Sequence, residues 1–393
     1  MFKRKKELGN AKTILEGIHY DTGKPIQVTI NSGIIDTVRE KPSSAIESGR
    51  LPVIAPGLVD LQVNGYMGVD FNAPGLTVEQ VQLVSLELLR TGVTGYYPTL
   101  ITGPEERTMV TLKVISEATC TPGPARSMID GIHMEGPFIS NEDGPRGAHP
   151  EKYCMEPDPD LVERWNKVSG GMVRIITLAP ELPGSENLIR ACRKMGITVG
   201  IGHTQADSGM IHKAVLAGAT LSTHLGNGSH GSLPRHPNYI WDQLAEEGLF
   251  ASMIADGYHL PDAVLKVFIK VKRERAILVS DSMTYSGLPP GVYESPATGK
   301  VRLTEEGKLH MEGDPGTLAG SASKLIDGIR KISSLENFPY AWNMASLHPN
   351  RLMEVPAARG IVDGAPASLV LLSQDEPSLE IQSVICKGMV KDP

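Results

Sequence analysis

Ile197-Thr198-Val199-Gly200-Ile201-Gly202-His203 is a short apolar run that ends on an imidazole. Runs of the same kind, each bounded by turn residues and followed by a segment that reads as helix, occupy residues 53–61, 93–99, 129–135, 172–179, 219–225, 250–256 and 276–281. The helix after the first run announces itself. Thr77 and Gln80 make a capping-box pattern, and Val81, Val84 and Leu88 recur at i, i+3 and i+7. Runs this apolar suit strands buried on both faces, and eight β-then-α units predict a (β/α)8 TIM-like barrel. A doubly wound open sheet is the alternative. Polar residues at the ends of many runs, and the lack of a Gly-rich dinucleotide loop after the first run, favour the barrel. The flanks differ in character: β-like runs at 26–30 and 369–372 predict a small β-sandwich domain assembled from residues 1–54 and 355–393, leaving 55–354 for the barrel.

Composition narrows the function classes. The chain has 393 residues, 40% hydrophobic and 21% charged, and no apolar run approaches the roughly 18 residues that a membrane span needs. A net charge of -7 has the wrong sign for neutralising nucleic-acid phosphates, so neither membrane nor nucleic acid is an expected partner. Met1-Phe2-Lys3-Arg4-Lys5-Lys6 begins like a signal peptide, but polar Glu7, Asn10 and Lys12 stand where an apolar segment would follow, and a solvated terminus is expected. Cys120, Cys154, Cys192 and Cys386 are widely separated, which suggests neither a zinc knuckle nor a disulfide scaffold and points to a reducing cytoplasm. Histidine is clustered: eight of the eleven lie between residues 133 and 259, marking that segment for metal or acid-base chemistry.

In the barrel reading, Glu135 ends the third run, His203 the fifth and the sixth run carries His224 at its end. Two imidazoles and a carboxylate converging on the barrel mouth, with one position left open, form a catalytic ligand set for Zn²⁺. A single histidine at a strand end is more often a hydrogen-bonded structural residue, so the convergence carries the inference. Asp281 ends the eighth run, where a carboxylate can take a proton from an activated water and return it to a leaving group; the bland alternative is a helix cap or turn residue.

These residues lie within a larger pattern. Ala55-Pro56-Gly57-Leu58-Val59-Asp60-Leu61-Gln62-Val63-Asn64-Gly65, His133-Met134-Glu135-Gly136-Pro137-Phe138, Arg146-Gly147-Ala148-His149-Pro150, Gly202-His203-Thr204, Thr223-His224-Leu225, Ile254-Ala255-Asp256-Gly257-Tyr258-His259, Val279-Ser280-Asp281 and Thr317-Leu318-Ala319-Gly320-Ser321 follow one another across about residues 53 to 325. In order and spacing they resemble the amidohydrolase superfamily, and within it the N-acetylglucosamine-6-phosphate deacetylases. The resemblance implies hydrolysis of N-acetyl-D-glucosamine 6-phosphate to D-glucosamine 6-phosphate and acetate. It implies metal ligands at Glu135, His203 and His224, a general base and acid at Asp281, and a substrate-contacting His149 that polarises the acetamide carbonyl. Phosphate contacts at Asn227, Arg235 and His259 are implied too, the last two reaching a neighbouring subunit's site in a homodimer.

Two departures from the family pattern stand out. Most superfamily members carry His-x-His at the end of the first strand, binding a second metal, but here the place reads Gln62-Val63-Asn64. Amides are poor zinc ligands, so one divalent ion per subunit is expected, zinc ahead of iron, cobalt or manganese, with Gln62 left to contact the water or substrate. The second is the loop after His224, which reads Gly226-Asn227-Gly228 with additional histidines at His230 and His236, and the lost bulk and extra glycine are expected to alter the fit of the sugar. His133 is expected either beside the metal ligands or packed in the barrel core. Deacetylation of the 4-epimer, N-acetyl-D-galactosamine 6-phosphate, and a non-catalytic sugar-phosphate-binding barrel are the competing functional readings.

Overall fold

The computed structural model describes residues 12–42, 51–295, 299–355, 360–374 and 380–391, so the basic stretch at residues 1–6 lies outside the described residues. The apolar runs become eight parallel strands: β1 (Leu58–Val63), β2 (Val93–Ile101), β3 (Ile132–Glu135), β4 (Val173–Leu178), β5 (Thr198–Ile201), β6 (Leu221–Ser222), β7 (Phe250–Ile254) and β8 (Ala276–Val279). They stand side by side in sequence order within one sheet. Helices intervene, and the one over Val78–Arg90 starts as its sequence dictates. Thr77 Oγ1 accepts from the Gln80 N–H while Gln80 Oε1 accepts from the Thr77 N–H at 3.0 Å, and Val81, Val84 and Leu88 are buried. Among the described residues no helix is long and apolar enough to cross a membrane.

Side-chain parity along the strands sorts the interior. Ile132 and Met134 on β3 join the large core beneath the helices, whereas His133 and Glu135 alternate with them and take the other face of the strand. The lumen below the mouth is filled by a separate cluster that includes Val59, Leu61, Tyr97, Ile175 and Ile277. His133 belongs to this packed interior: it spans from β1 to β4, with Nδ1 3.0 Å from Leu61 O and Nε2 2.8 Å from Thr177 Oγ1. Leu61 O can only accept, so Nδ1 holds the proton and Nε2 receives the Thr177 hydroxyl.

Residues 53–61 do not form one strand. Val53–Pro56 pairs with Thr13–His19 and Leu369–Leu372, and the barrel starts only at Leu58. Gly57 lies at the break, where a Cβ would lie 2.1 Å from Thr94 Oγ1, so only glycine lets the backbone pass. The flanking runs form a separate sheet of seven strands drawn from both termini, running from Met389–Lys391 at one edge to Ile34–Glu40 at the other. A four-stranded antiparallel sheet over residues 291–318, unanticipated in sequence, follows β8 around a small core of Tyr285, Val301, Leu303 and Leu309.

Between β8 and β1 the ladder gives way to side-chain bonds. One parallel bridge joins Val63 to Ser282, and the Asn64 and Gly65 N–H groups donate to Ser282 O at 2.9 and 3.0 Å. Asp60 Oδ1 accepts from the backbone N–H groups of Ser280 at 3.2 Å and Gln62 at 3.3 Å. Burial pushes the Asp60 carboxyl up to about 7, above the roughly 3.9 of an unfolded chain. The native state therefore binds more protons than the unfolded chain between those values, and the contribution of Asp60 to stability is lost as pH rises through that window. Asp60→Asn removes this dependence. Denaturant melts from pH 4 to 7 are expected to shift the stability difference in the variant's favour by up to about 4 kcal/mol; a pH-independent difference would contradict the assignment.

Candidate metal centre

Glu135 closes β3, while His203, His224 and Asp281 each stand two residues beyond the ends of β5, β6 and β8. All three of these post-strand residues have left-handed backbones, with φ of 51°, 29° and 48°. A non-glycine residue at positive φ costs on the order of 1–3 kcal/mol, and here the same turn occurs at three strand ends of one mouth. Convergence on one atom results. Glu135 Oε1 lies 2.8 Å from His224 Nε2 and 3.1 Å from His203 Nε2, and the two nitrogens are 3.2 Å apart. All three residues are buried.

The tautomer of His203 follows from its far side. Its Nδ1 is 2.8 Å from Pro145 O, which only accepts, so Nδ1 carries the proton and Nε2 presents a lone pair. That lone pair faces a carboxylate oxygen and a second imidazole nitrogen, an arrangement that a cation among the three atoms would stabilise. Zinc bonds of 2.0–2.2 Å in a tetrahedron separate ligand atoms by roughly 3.3 Å, close to the spacing found here. The residues therefore fit a metal ion. His149 is a fourth candidate, since a ligand atom on each of Glu135, His149 and His203 falls within 4.8 Å of the others. The Glu135, His203 and His224 set is the tighter, and its atoms point at one another. His224 Nδ1 is buried with no partner among the described residues, so in the tautomer that puts a lone pair at Nε2 the Nδ1 proton has no acceptor among them.

Burial works to raise the Glu135 carboxyl, but the imidazoles of His203 and His224 outweigh it and hold it well below the usual range. Burial also opposes protonation of His224, yet Glu135 raises it overall. Asp281 is pushed up to about 6, by burial first and the Glu135 charge second, while His224, His259 and a hydrogen bond from Asn64 pull it back. A carboxyl near 6 suits a group that takes and returns a proton near neutral pH.

The two amides that replace His-x-His have definite partners. Gln62 Nε2 donates to Glu135 Oε1 at 2.9 Å, and Asn64 Nδ2 donates to Asp281 Oδ1 at 2.7 Å. Each therefore steadies one carboxylate, a role that sequence reading missed for Asn64. His149 is buried, with its ring edge-on to His203 at 4.4 Å between centroids and Nδ1 2.9 Å from Thr102 Oγ1. Thr102 was also overlooked, because β2 runs to Ile101 rather than stopping at Thr99 and so brings Thr102 to a strand end. His259 faces the mouth of its own barrel: Nδ1 bonds Asp256 Oδ2 at 2.6 Å, and its charge acts on Asp281.

The remaining candidates lie on the rim. Asn227 is half-buried and donates its Nδ2 to His224 O at 3.1 Å, bracing the turn after that histidine. Arg235 is exposed. His230 Nδ1 is 3.0 Å from the Tyr239 hydroxyl and ties the loop down, His236 is exposed, and His212 pairs with Glu246 on a helix surface. The extra glycine after His224 has a local reason. A Cβ on Gly228, at φ of 55°, would lie 2.7 Å from His203 Nδ1. The loop backbone thus packs flat on the imidazole.

The barrel with a buried His/Glu mouth at the C-terminal ends of its strands defines an amidohydrolase-type hydrolase fold. No protein-family model matches the chain. It is 35% identical over 351 residues to the N-acetylglucosamine-6-phosphate deacetylase of Bos taurus, covering 86% of this chain and 82% of that one. It is 32% identical to the enzyme of the same name from Bacillus subtilis, over 92% of each. The solved structure of N-acetyl-D-glucosamine-6-phosphate deacetylase from Mycobacterium smegmatis superposes with a TM-score of 0.85 at 26% identity, covering 96% of this chain and 99% of that one. The chain belongs to the N-acetylglucosamine-6-phosphate deacetylase family.

Gly228→Ala tests the support of His203. Displacing its ring is expected to weaken metal retention about 10- to 100-fold, read by competition with a chelator and elemental analysis, while the far-ultraviolet spectrum stays unchanged. Unaltered retention would mean that the loop does not hold the ring.

Proposed function

We propose that the chain hydrolyses N-acetyl-D-glucosamine 6-phosphate to D-glucosamine 6-phosphate and acetate. The observation that carries this reading is the convergence of His203 and His224 on Glu135, beside Asp281, in a member of this family. Glu135, His203 and His224 would hold one divalent ion per subunit, zinc first, with iron, cobalt or manganese also compatible with the donors. Bound there, such an ion supplies Lewis acidity, acidifying water and polarising a carbonyl oxygen.

Asp281 takes a proton from the attacking water as its oxygen bonds the acetamide carbon, and returns that proton to the departing nitrogen as the C–N bond breaks. Asn64 holds Asp281 Oδ1, which leaves Oδ2 as the oxygen that handles the proton. His149 donates to the carbonyl oxygen as negative charge builds on it. Gln62 keeps Glu135 oriented by donating to the same Oε1 that His203 and His224 approach.

For the phosphate we assign His259, whose Nδ1 bond to Asp256 turns Nε2 outward, together with Asn227 and the guanidinium of Arg235. In the proposed homodimer Arg235 and His259 are the residues supplied across the interface. The four cysteines, Cys120, Cys154, Cys192 and Cys386, are all free, in keeping with a reducing compartment such as the cytoplasm.

Acetate release from N-acetyl-D-glucosamine 6-phosphate is the direct test, and its absence from metal-loaded protein would favour a binding barrel instead. Asp281→Asn is expected to lower kcat by at least about 1,000-fold while metal content and product binding persist. The 4-epimer should show the lower kcat/KM; the reverse order would reassign the substrate.

A further inference from the structure

His203 and His149 lie edge to face in the mouth, yet the atoms behind their rings differ in kind. Behind His203 is the carbonyl oxygen of Pro145, an obligate acceptor. Behind His149 is the hydroxyl of Thr102, which can donate or accept. A neutral imidazole has one N–H, so the direction of this one bond decides what His149 Nε2 offers to the site.

Thr102 is 1% exposed, and among the described residues its hydroxyl has a single partner, His149 Nδ1 at 2.9 Å. The backbone of Gly136 is packed against the hydroxyl, where a Cβ would lie 2.3 Å from Oγ1. Were Nδ1 to donate, the hydroxyl hydrogen of Thr102 would have no acceptor, a buried unsatisfied donor. Were the hydroxyl to donate, its hydrogen would be satisfied and only a lone pair left over. The second arrangement costs less.

We infer that Thr102 is a positioning residue whose hydroxyl donates to His149 Nδ1 and thereby fixes His149 with its proton on Nε2, a hydrogen-bond donor to substrate rather than a metal ligand. The neighbouring rings are thus held in opposite tautomers, His203 by a carbonyl and His149 by a hydroxyl. This separates the two histidines that distance alone groups with Glu135. The inference deepens the proposed deacetylation and rests on it for the role of His149 as a donor to the acetamide oxygen.

The test uses full-length, metal-loaded protein labelled with ¹⁵N-histidine, the His149 resonances being assigned by their loss in His149→Asn. The wild-type spectrum should show Nε2 protonated and Nδ1 as an unprotonated acceptor, and Thr102→Val should shift the ring toward the Nδ1-protonated form. Thr102→Val is expected to lower kcat about 10- to 100-fold at unchanged metal content and nearly unchanged KM, and Thr102→Ser, which restores the hydroxyl, to recover most of that loss. A wild-type His149 protonated on Nδ1, or a Thr102→Val enzyme with wild-type kcat, would overturn the inference. If wild-type protein released no acetate, the proposed reaction would fail, while the tautomer seen in the two spectra would still decide the inference about Thr102.

Discussion

One carboxylate oxygen organises the mouth of this barrel. Glu135 Oε1 is approached by His224 Nε2, Gln62 Nε2 and His203 Nε2 at 2.8, 2.9 and 3.1 Å, so three further strands are tied to β3 through a single buried atom. A buried carboxylate is tolerable only when it is paired and hydrogen-bonded, and much of the surrounding structure serves that need. The left-handed turns at His203 and His224 aim the rings, and Gly228 lets a loop lie flat against one of them.

The second organising feature is the side-chain seam between β8 and β1. Where the strand ladder thins, Asp60 accepts from Ser280 and Asn64 donates to Asp281, so the same short stretch around the end of β1 closes the barrel and places the Asp281 carboxyl. Gln62 and Asn64 flank Val63, the last residue of β1. Each amide donates to one carboxylate and offsets its negative charge with a hydrogen bond.

Much of the architecture was legible in the sequence because its signals are local. The capping box at Thr77 and Gln80, the apolar runs, and the polar residues ending them each depend on neighbours a few positions away. The break at Gly57 was not legible, since it exists to let the backbone pass Thr94 on another strand. His133 was open between two readings for the same reason: its partners, Leu61 and Thr177, are 72 and 44 positions distant. The four-stranded sheet after β8 was missed because short alternating stretches between turns carry a weak signal beside long buried strands.

The sequence by itself determined the eight-strand order, the helix start at Thr77 and which residue types end each run, because residue identity and periodicity are written along the chain. It also placed Glu135, His203, His224 and Asp281 at strand ends. Tertiary structure alone decided which nitrogen of each imidazole faces the centre, that Asn64 holds Asp281 across 217 positions, and that Thr102 stands behind His149. A tautomer is set by whether the atom behind the ring donates or accepts, and that atom comes from whichever strand or loop the fold brings alongside.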